Sequence, residues 1–250
     1  MKTAIITGAA GGICGGIAEK LSLDGWRTGL VDIDPAKLDA AAARIPNSQA
    51  LIADVADEAS MKAALNAFSV VPDLLVNGAG IVRFGAFVEQ PLADIRKVIE
   101  VNLLGVIVPS WLVGREMAER RSGVIINIAS ISGLVAGRNV GAYGPTKAAI
   151  ANLTQLLAVE LGPLGVRANT IAPGLINAGM GAQTTYTDTE RYQARGAAVP
   201  SRRQGTANDI AEAVAFLASD AASYINGQQI VIDGGLTVSL LDQLPSGKRQ

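Results

Sequence analysis

The sequence predicts an α/β fold, a parallel sheet of seven strands wound with helices on both faces. Three observations carry that expectation. Short Val/Ile-rich runs alternate with longer helical patterns along the whole chain. Those runs are rich in Val, Ile and Leu, which suits a parallel sheet covered by helices. Of 250 residues, 49% are hydrophobic but only 4% aromatic, so small aliphatic side chains dominate and suit helices packed closely on such a sheet.

Taken in order, the first strand is Ala4 to Thr7, and a glycine-rich turn then opens a helix over Ile13 to Leu23. A second strand, Thr28 to Val31, leads to a helix over Pro35 to Arg44. Pro35 suits a first helical position, where a missing N–H costs nothing, and Asp34 before it suits the cap. The strand Leu51 to Ala53, the helix Glu58 to Phe68 and the strand Leu74 to Asn77 follow. A long helix is expected over Leu92 to Glu119, then a strand over Val124 to Ile128, a helix over Tyr143 to Leu161 and a strand over Arg167 to Ile171. Gly174 to about Thr206 reads as irregular, and the helix Ala207 to Ala218 and the strand Gln229 to Ile232 complete the pattern. This alternation is that of a doubly wound Rossmann sheet, in which ligands bind outside the carboxyl ends of the strands. No linker, repeat or low-complexity segment divides the chain, so residues 1–250 are expected to form a single domain. Residues 174–206, polar in the middle, are long enough for a substrate-binding loop or lid.

Charge and composition exclude several classes of function. Lys and Arg number 21 against 22 Asp and Glu, without a long run of one sign, so neither nucleic acid nor an anionic membrane is an expected partner. The most hydrophobic stretch, Leu103 to Gly114, is interrupted by Pro109 and Ser110 and falls short of the roughly 20 residues that span a bilayer. The apolar start, Met1 to Thr7, is too short for a signal peptide. A cytoplasmic protein with a small-molecule partner is expected. A single cysteine, Cys14, rules out an internal disulfide. The absence of histidine removes His-based proton transfer and most zinc sites, so no metal is expected, and Tyr, Lys, Asp and Glu remain as proton carriers.

Four features point to chemistry. Thr7-Gly8-Ala9-Ala10-Gly11-Gly12-Ile13-Cys14 joins the first strand to the first helix, where glycines let the backbone turn tightly and approach a pyrophosphate at the helix start. Asp32 ends the second strand, 24 positions after Gly8, near the spacing at which a carboxylate meets the adenosine ribose. Its charge would repel a 2′-phosphate and Gly11 supplies no positive charge to compensate, so NAD is expected over NADP. Tyr143 and Lys147 stand four apart at a helix start, hence on one face. A nearby ammonium favours the phenolate, which would bring Tyr143 into range as acid and base. Ser130 follows the strand Val124 to Ile128 and puts a hydroxyl at the ligand edge of the sheet, with Ser132 as its local rival.

With Asp54-Val55, Asn77-Gly78-Ala79-Gly80, Asn102 and Pro173-Gly174 added, these motifs stand in the order and at the spacings of the short-chain dehydrogenases/reductases. The sequence resembles that family over nearly its whole length. The resemblance implies an Asn102-Ser130-Tyr143-Lys147 tetrad, with Ser130 orienting the substrate oxygen and Asn102 holding a water that links Lys147 to solvent. It implies cofactor contacts from Gly8, Gly11, Gly12 and Ile13, from Asp32 and Ile33, and from Asp54 and Val55 at the adenine. Asn77, Gly78 and Ala79 would back the cofactor, and Tyr143, Lys147, Pro173, Gly174 and Ile176 would complete its site. Cys14 departs from the family's third glycine and is expected to widen a helix-strand contact slightly or to sit in a tolerated rotamer. Ala178 departs from the family's threonine, which leaves the nicotinamide to backbone groups around Ile176. The family also implies a homotetramer built through the two long helices, where Ala148, Ala149, Ala151 and Ala158 suit close contact.

The expected activity is interconversion of a secondary alcohol and a ketone on a small polar substrate such as a sugar, a polyol or a hydroxy acid. Asn177, Gln183, Thr184, Thr185, Tyr186 and Tyr192 would hydrogen-bond its hydroxyls, and Arg138 offers an anion contact. Two alternatives stay open. One is a 3-oxoacyl-acyl-carrier-protein reductase, for which Arg120 and Arg121 could form a docking patch. The other is a cofactor-binding regulator without catalysis, against which the complete Asn-Ser-Tyr-Lys set argues.

Overall fold

The strands are β1 (Thr3–Thr7), β2 (Arg27–Asp32), β3 (Ser48–Ile52), β4 (Leu74–Asn77), β5 (Gly123–Ile128), β6 (Val166–Pro173) and β7 (Gln229–Ile232). All pair in parallel, in the order β3-β2-β1-β4-β5-β6-β7. The structure is a computed structural model and describes residues 1–179 and 189–239. The helices are α1 (Gly12–Leu23), α2 (Pro35–Arg44), α3 (Glu58–Phe68), α4 (Leu92–Ile99), α5 (Gly105–Arg120), α6 (Tyr143–Leu161), α7 (Thr189–Ala198) and α8 (Ala207–Leu217).

Successive strand residues point to opposite faces, and both faces are apolar. Ile5, Val31, Leu75 and Ile125 turn to one side and meet Met61 and Phe68 of α3 and Val113 and Met117 of α5. Ala4, Ile6, Leu30, Leu74, Val76 and Ile126 turn to the other and meet Ile17 and Leu21 of α1, Leu38 of α2, and Ile210 and Val214 of α8. Each such large side chain contributes roughly 1.5–3 kcal/mol by leaving water. Helix starts are set by local chemistry. The Asp34 carboxylate accepts from Lys37 N at 3.1 Å ahead of α2, and Thr206 and Asp209 form a reciprocal capping box at α8.

Three elements differ from their sequence-based expectation. The single helix predicted over Leu92 to Glu119 contains a π segment, Glu100–Leu104, between α4 and α5. The wider turn lets Asn102 become fully buried and bond to a neighbouring loop. The stretch predicted as irregular from Gly174 to Thr206 includes α7, and residues 180–188 lie outside the described residues. Strand β3 begins earlier than its apolar run because it is an edge strand, paired only with β2, and tolerates Ser48 and Gln49. The run Leu92–Arg120 is long and apolar enough to cross a membrane by length and composition, more than the stretch Leu103 to Gly114 suggested. Here Val113 and Met117 pack in the core over β4 and β5.

Candidate active site

Strand order reverses beside β1, which lies between β2 and β4. In a doubly wound sheet this switch point opens a crevice at the carboxyl ends of the strands. The cleft there measures about 1080 Å³.

One half of the cleft is built from β1, β2 and β3 and the turns after them. Gly8, Gly11, Gly12 and Ile13 line its floor. Helix α1 begins with Gly11 as a cap that makes no side-chain hydrogen bond, and its first turn carries no acid. Its leading N–H groups therefore suit an anion. Gly8 has φ +72°, and a Cβ there would lie 2.8 Å from Ala79 Cα, so this turn both needs the left-handed region and presses on the next loop. Thr7 Oγ1 ties that loop down by accepting from Gly78 N at 3.0 Å and Ala79 N at 3.2 Å.

Asp32 closes β2 at the rim. Its Oδ1 accepts from Ile33 N at 2.8 Å and Asp34 N at 3.3 Å, and its Oδ2 from Ala10 N at 3.1 Å. A carboxylate offers about four lone-pair sites, so capacity remains for ribose hydroxyls. Lys37 lines the same end, held by Asp34 at 2.9 Å. The uncharged Gly11 gives no sign of this cation, which α2 brings beside Asp32 in its first turn. Further along, Asp54 Oδ1 accepts from Ala56 N at 2.9 Å, and Val55 is buried against Gly105, where a Cβ would come within 2.6 Å of Val55 Cγ2. These parts fit a dinucleotide: glycine-floored amides for a pyrophosphate, with carboxylates at Asp32 and Asp54 spaced along the adenosine side.

The other half brings Ser130, Tyr143 and Lys147 into one wall, opposite Pro173, Gly174 and Ile176. Ser130 Oγ accepts from Ser132 N at 3.1 Å, which fixes its hydroxyl; Ser132 lines the cleft too. Lys147 is buried, donates from Nζ to Ile128 O at 2.9 Å, and lies 5.6 Å from the centre of the Tyr143 ring. Burial pushes its ammonium down to about 8. Burial also pushes the Tyr143 phenol up, and the neighbouring Ser130 hydroxyl pulls it back in part. This corrects the sequence expectation that Lys147 would be what lowers Tyr143: in the structure the lowering influence comes from Ser130, and desolvation outweighs it.

Two predicted site residues do not reach the cleft surface. Asn102 is fully buried behind it, with Nδ2 donating to Ile81 O at 2.9 Å and Oδ1 accepting from Ile81 N at 2.8 Å. A Cβ on Gly80 would lie 3.3 Å from Asn102 Oδ1 and 3.7 Å from Lys147 Nζ, so Asn102 pins the Gly80–Ile81 backbone against the lysine. Asn77 points into the core. Its Nδ2 donates to Ser110 Oγ and Asn127 Oδ1, both at 2.8 Å, and Asn127 Nδ2 donates to Thr154 Oγ1 at 2.9 Å. This network binds β4, β5, α5 and α6 together, and the Gly78-Ala79 backbone, not the Asn77 side chain, meets the cleft.

Cys14 is buried, and its Sγ lies over Gly78, where a Cβ would approach to 2.1 Å. The bare glycine makes the room that the cysteine takes, and burial pushes the thiol up to about 12. Arg138 is exposed and is not part of the cleft lining. Asn177 donates from its backbone to Gly205 O at 2.8 Å. Gln183, Thr184, Thr185, Tyr186 and the Tyr192 side chain lie outside the described residues. Arg120 ends α5 and Arg121 caps it just before β5, at the amino edge of the sheet, and they bond to the carbonyls of Val71, Pro72 and Pro163. They are far from the cleft mouth and serve the scaffold. Sequence reading missed Arg83 and Arg195, which both line the cleft. Nothing in periodicity marks them, because a loop and a helix distant in sequence bring them there.

Comparison with known proteins agrees with this geometry. A family profile described as Enoyl-(Acyl carrier protein) reductase matches residues 8–237. D-threitol dehydrogenase of Mycolicibacterium smegmatis is 36% identical over 244 residues, covering 95% of this chain and 93% of the relative. L-rhamnose 1-dehydrogenase (NAD(P)(+)) of Azotobacter vinelandii is 37% identical over 252 residues, covering 96% and 98%. Among solved structures, a 3-oxoacyl-[acyl-carrier protein] reductase from Brucella melitensis superposes with a TM-score of 0.88 at 30% identity, covering 94% of this chain and 91% of that one. The chain belongs to the short-chain dehydrogenase/reductase family. It is an oxidoreductase built on a Rossmann-type sheet and uses a nicotinamide cofactor.

Proposed function

We propose that the chain interconverts a secondary alcohol and a ketone on a small polar substrate, a sugar, polyol or hydroxy acid, with NAD preferred to NADP. The carrying observation is that Ser130, Tyr143 and Lys147 share one wall of a cleft whose other half is shaped for a dinucleotide. In oxidation Tyr143 takes the proton of the substrate hydroxyl, and in reduction it returns it. Ser130 Oγ, held by the Ser132 amide, positions the substrate oxygen beside the phenol. Lys147 lies buried beside the phenol, its ammonium 5.6 Å from the ring centre. When bound, the nicotinamide supplies or accepts the hydride. NAD preference is supported by the Asp32 carboxylate at the adenosine end, although Lys37 stands near it.

The relatives named for threitol and rhamnose support a polyol or sugar substrate. The likeness to the Brucella reductase favours a second reading, a 3-oxoacyl thioester substrate, and Arg120 and Arg121, both exposed, keep hydrogen bonds to the scaffold. Following NADH formation with sugars, polyols, hydroxy acids and 3-hydroxyacyl thioesters separates the two. Higher kcat/KM on the thioesters overturns the first reading. A homotetramer assembled through α5 and α6 belongs to the same proposal, supported by the exposed Trp111, Leu156 and Val159 on those helices, and a monomer by light scattering refutes it.

A further inference from the structure

Charge is unevenly distributed along the cleft. The carboxylates that line it, Asp32 and Asp54, lie at the adenosine end, together with Lys37 and Lys97, which are paired with Asp34 and Glu100 at 2.9 Å each. The catalytic end is lined by two guanidinium groups, Arg83 and Arg195, and by no carboxylate among the described residues.

The position of Arg83 follows from the loop after β4. Two residues before it, Ile81 is tied to the Asn102 amide by two hydrogen bonds. Two residues after it, Gly85 pairs with Val140, and Gly85 N donates to Asn139 O at 3.0 Å. The first tie sits beside Lys147, and the second lies three residues before Tyr143. The loop is thus stretched across the catalytic wall with Arg83 in its middle. Its guanidinium keeps one long contact, Nε to Asp94 Oδ1 at 3.7 Å, with half of its side chain exposed. Arg195 comes from the opposite wall. Helix α7 is anchored at the carboxyl edge of β6 and β7, where Ser201 N donates to Gly234 O at 3.1 Å and Gly205 N to Leu175 O at 2.9 Å.

We infer that Arg83 and Arg195 form a subsite for an oxyanionic group on the substrate, so that the preferred alcohol carries a carboxylate, sulfonate or phosphate away from its reacting carbinol. The inference rests on the proposed alcohol dehydrogenase activity and narrows its substrate class. Guanidinium groups suit the work because they present planar donor forks to oxyanions and stay charged. The adenosine-end carboxylates would not compete, since they lie at the far end of the cleft.

The test compares secondary alcohols bearing each of the three anions with their neutral amide or methyl-ester counterparts, in the wild-type enzyme and in Arg83→Met and Arg195→Met. The wild type is expected to prefer at least one anion by tenfold or more in kcat/KM, about the scale of one charge-assisted hydrogen bond. Each substitution should lower that preference at least about threefold, through KM more than kcat. The dissociation constant for NAD, measured by calorimetry, should stay within about twofold. Turnover of neutral polyols without discrimination overturns the subsite and leaves the dehydrogenase reading intact. Loss of NAD affinity equal to the loss in kcat/KM also overturns it, by assigning the guanidiniums to the cofactor. No NADH formation from any alcohol overturns both.

Discussion

The contact between Cys14 and Gly78 yields a prediction that needs both residues at once. A Cβ on Gly78 would lie 2.1 Å from Cys14 Sγ, while its next nearest neighbours, Ile128 Cγ1 and Thr7 O, stand at 3.4 Å. Gly78 is not among the glycines with positive φ, so alanine meets no backbone objection there, and the clash is with sulfur alone. Overpacking of this kind costs about 1–3 kcal/mol, or a fall in Tm of roughly 2–12 °C at this chain length. Gly78→Ala should also weaken NAD binding, because the Gly78-Ala79 backbone lines the cleft and is tied to Thr7. Cys14→Ala removes the sulfur and keeps a helix-favouring side chain, at a cost of about 1 kcal/mol for the lost packing. The double variant should then regain most of the stability and NAD affinity lost in Gly78→Ala, a coupling of about 1–3 kcal/mol in thermal or denaturant unfolding. Additive effects of the two substitutions would refute the claim that the cysteine occupies the space the glycine leaves.

Two further outcomes follow from the charged groups. Asp32→Asn keeps an oxygen to accept from Ile33 and Asp34, gives up the bond from Ala10 on the other side and removes the charge, so the NAD over NADP preference, expected at roughly 100-fold, should narrow at least tenfold in Kd by calorimetry; an unchanged ratio would dissociate Asp32 from that choice. Lys147 falls from 10.5 to about 8 on burial, a difference of about 3 kcal/mol. The folded protein therefore binds fewer protons than the unfolded chain between these values, and the penalty is present in full below about pH 8 and relieved as pH rises toward 10.5. Relative to Lys147→Met, the wild type should gain stability between near-neutral and strongly alkaline buffer, read from denaturant midpoints, and a pH-independent difference would contradict it.

The sheet was readable from sequence because its buried parallel strands leave Val/Ile-rich runs, and helices such as α2 carry their own start signal in Asp34 and Pro35. Edge strand β3 was misplaced because pairing on one side relaxes that rule. The π segment at Asn102 was hidden, since it depends on a hydrogen bond to Ile81 from another loop. At the site, motif spacing identified Ser130, Tyr143 and Lys147, but it could not show that Asn77 turns into the core, which follows from Asn127 and Ser110 on neighbouring elements. Arg83 and Arg195 were silent for the same reason: their places in the cleft lining depend on the Gly85–Val140 bridge and on the packing of α7. The balance of influences on Tyr143 likewise depends on burial, which four-residue spacing does not contain.

The central claim is that Tyr143 moves the proton while the cofactor moves the hydride. Its most direct test is Tyr143→Phe, with NADH formation followed on the best substrate of the wild type and NAD binding measured in parallel by calorimetry. Loss of general acid/base catalysis should lower kcat by about 10²–10⁴-fold while the dissociation constant for NAD stays within about threefold. A variant that binds NAD normally and keeps more than about a tenth of the wild-type rate would contradict the claim.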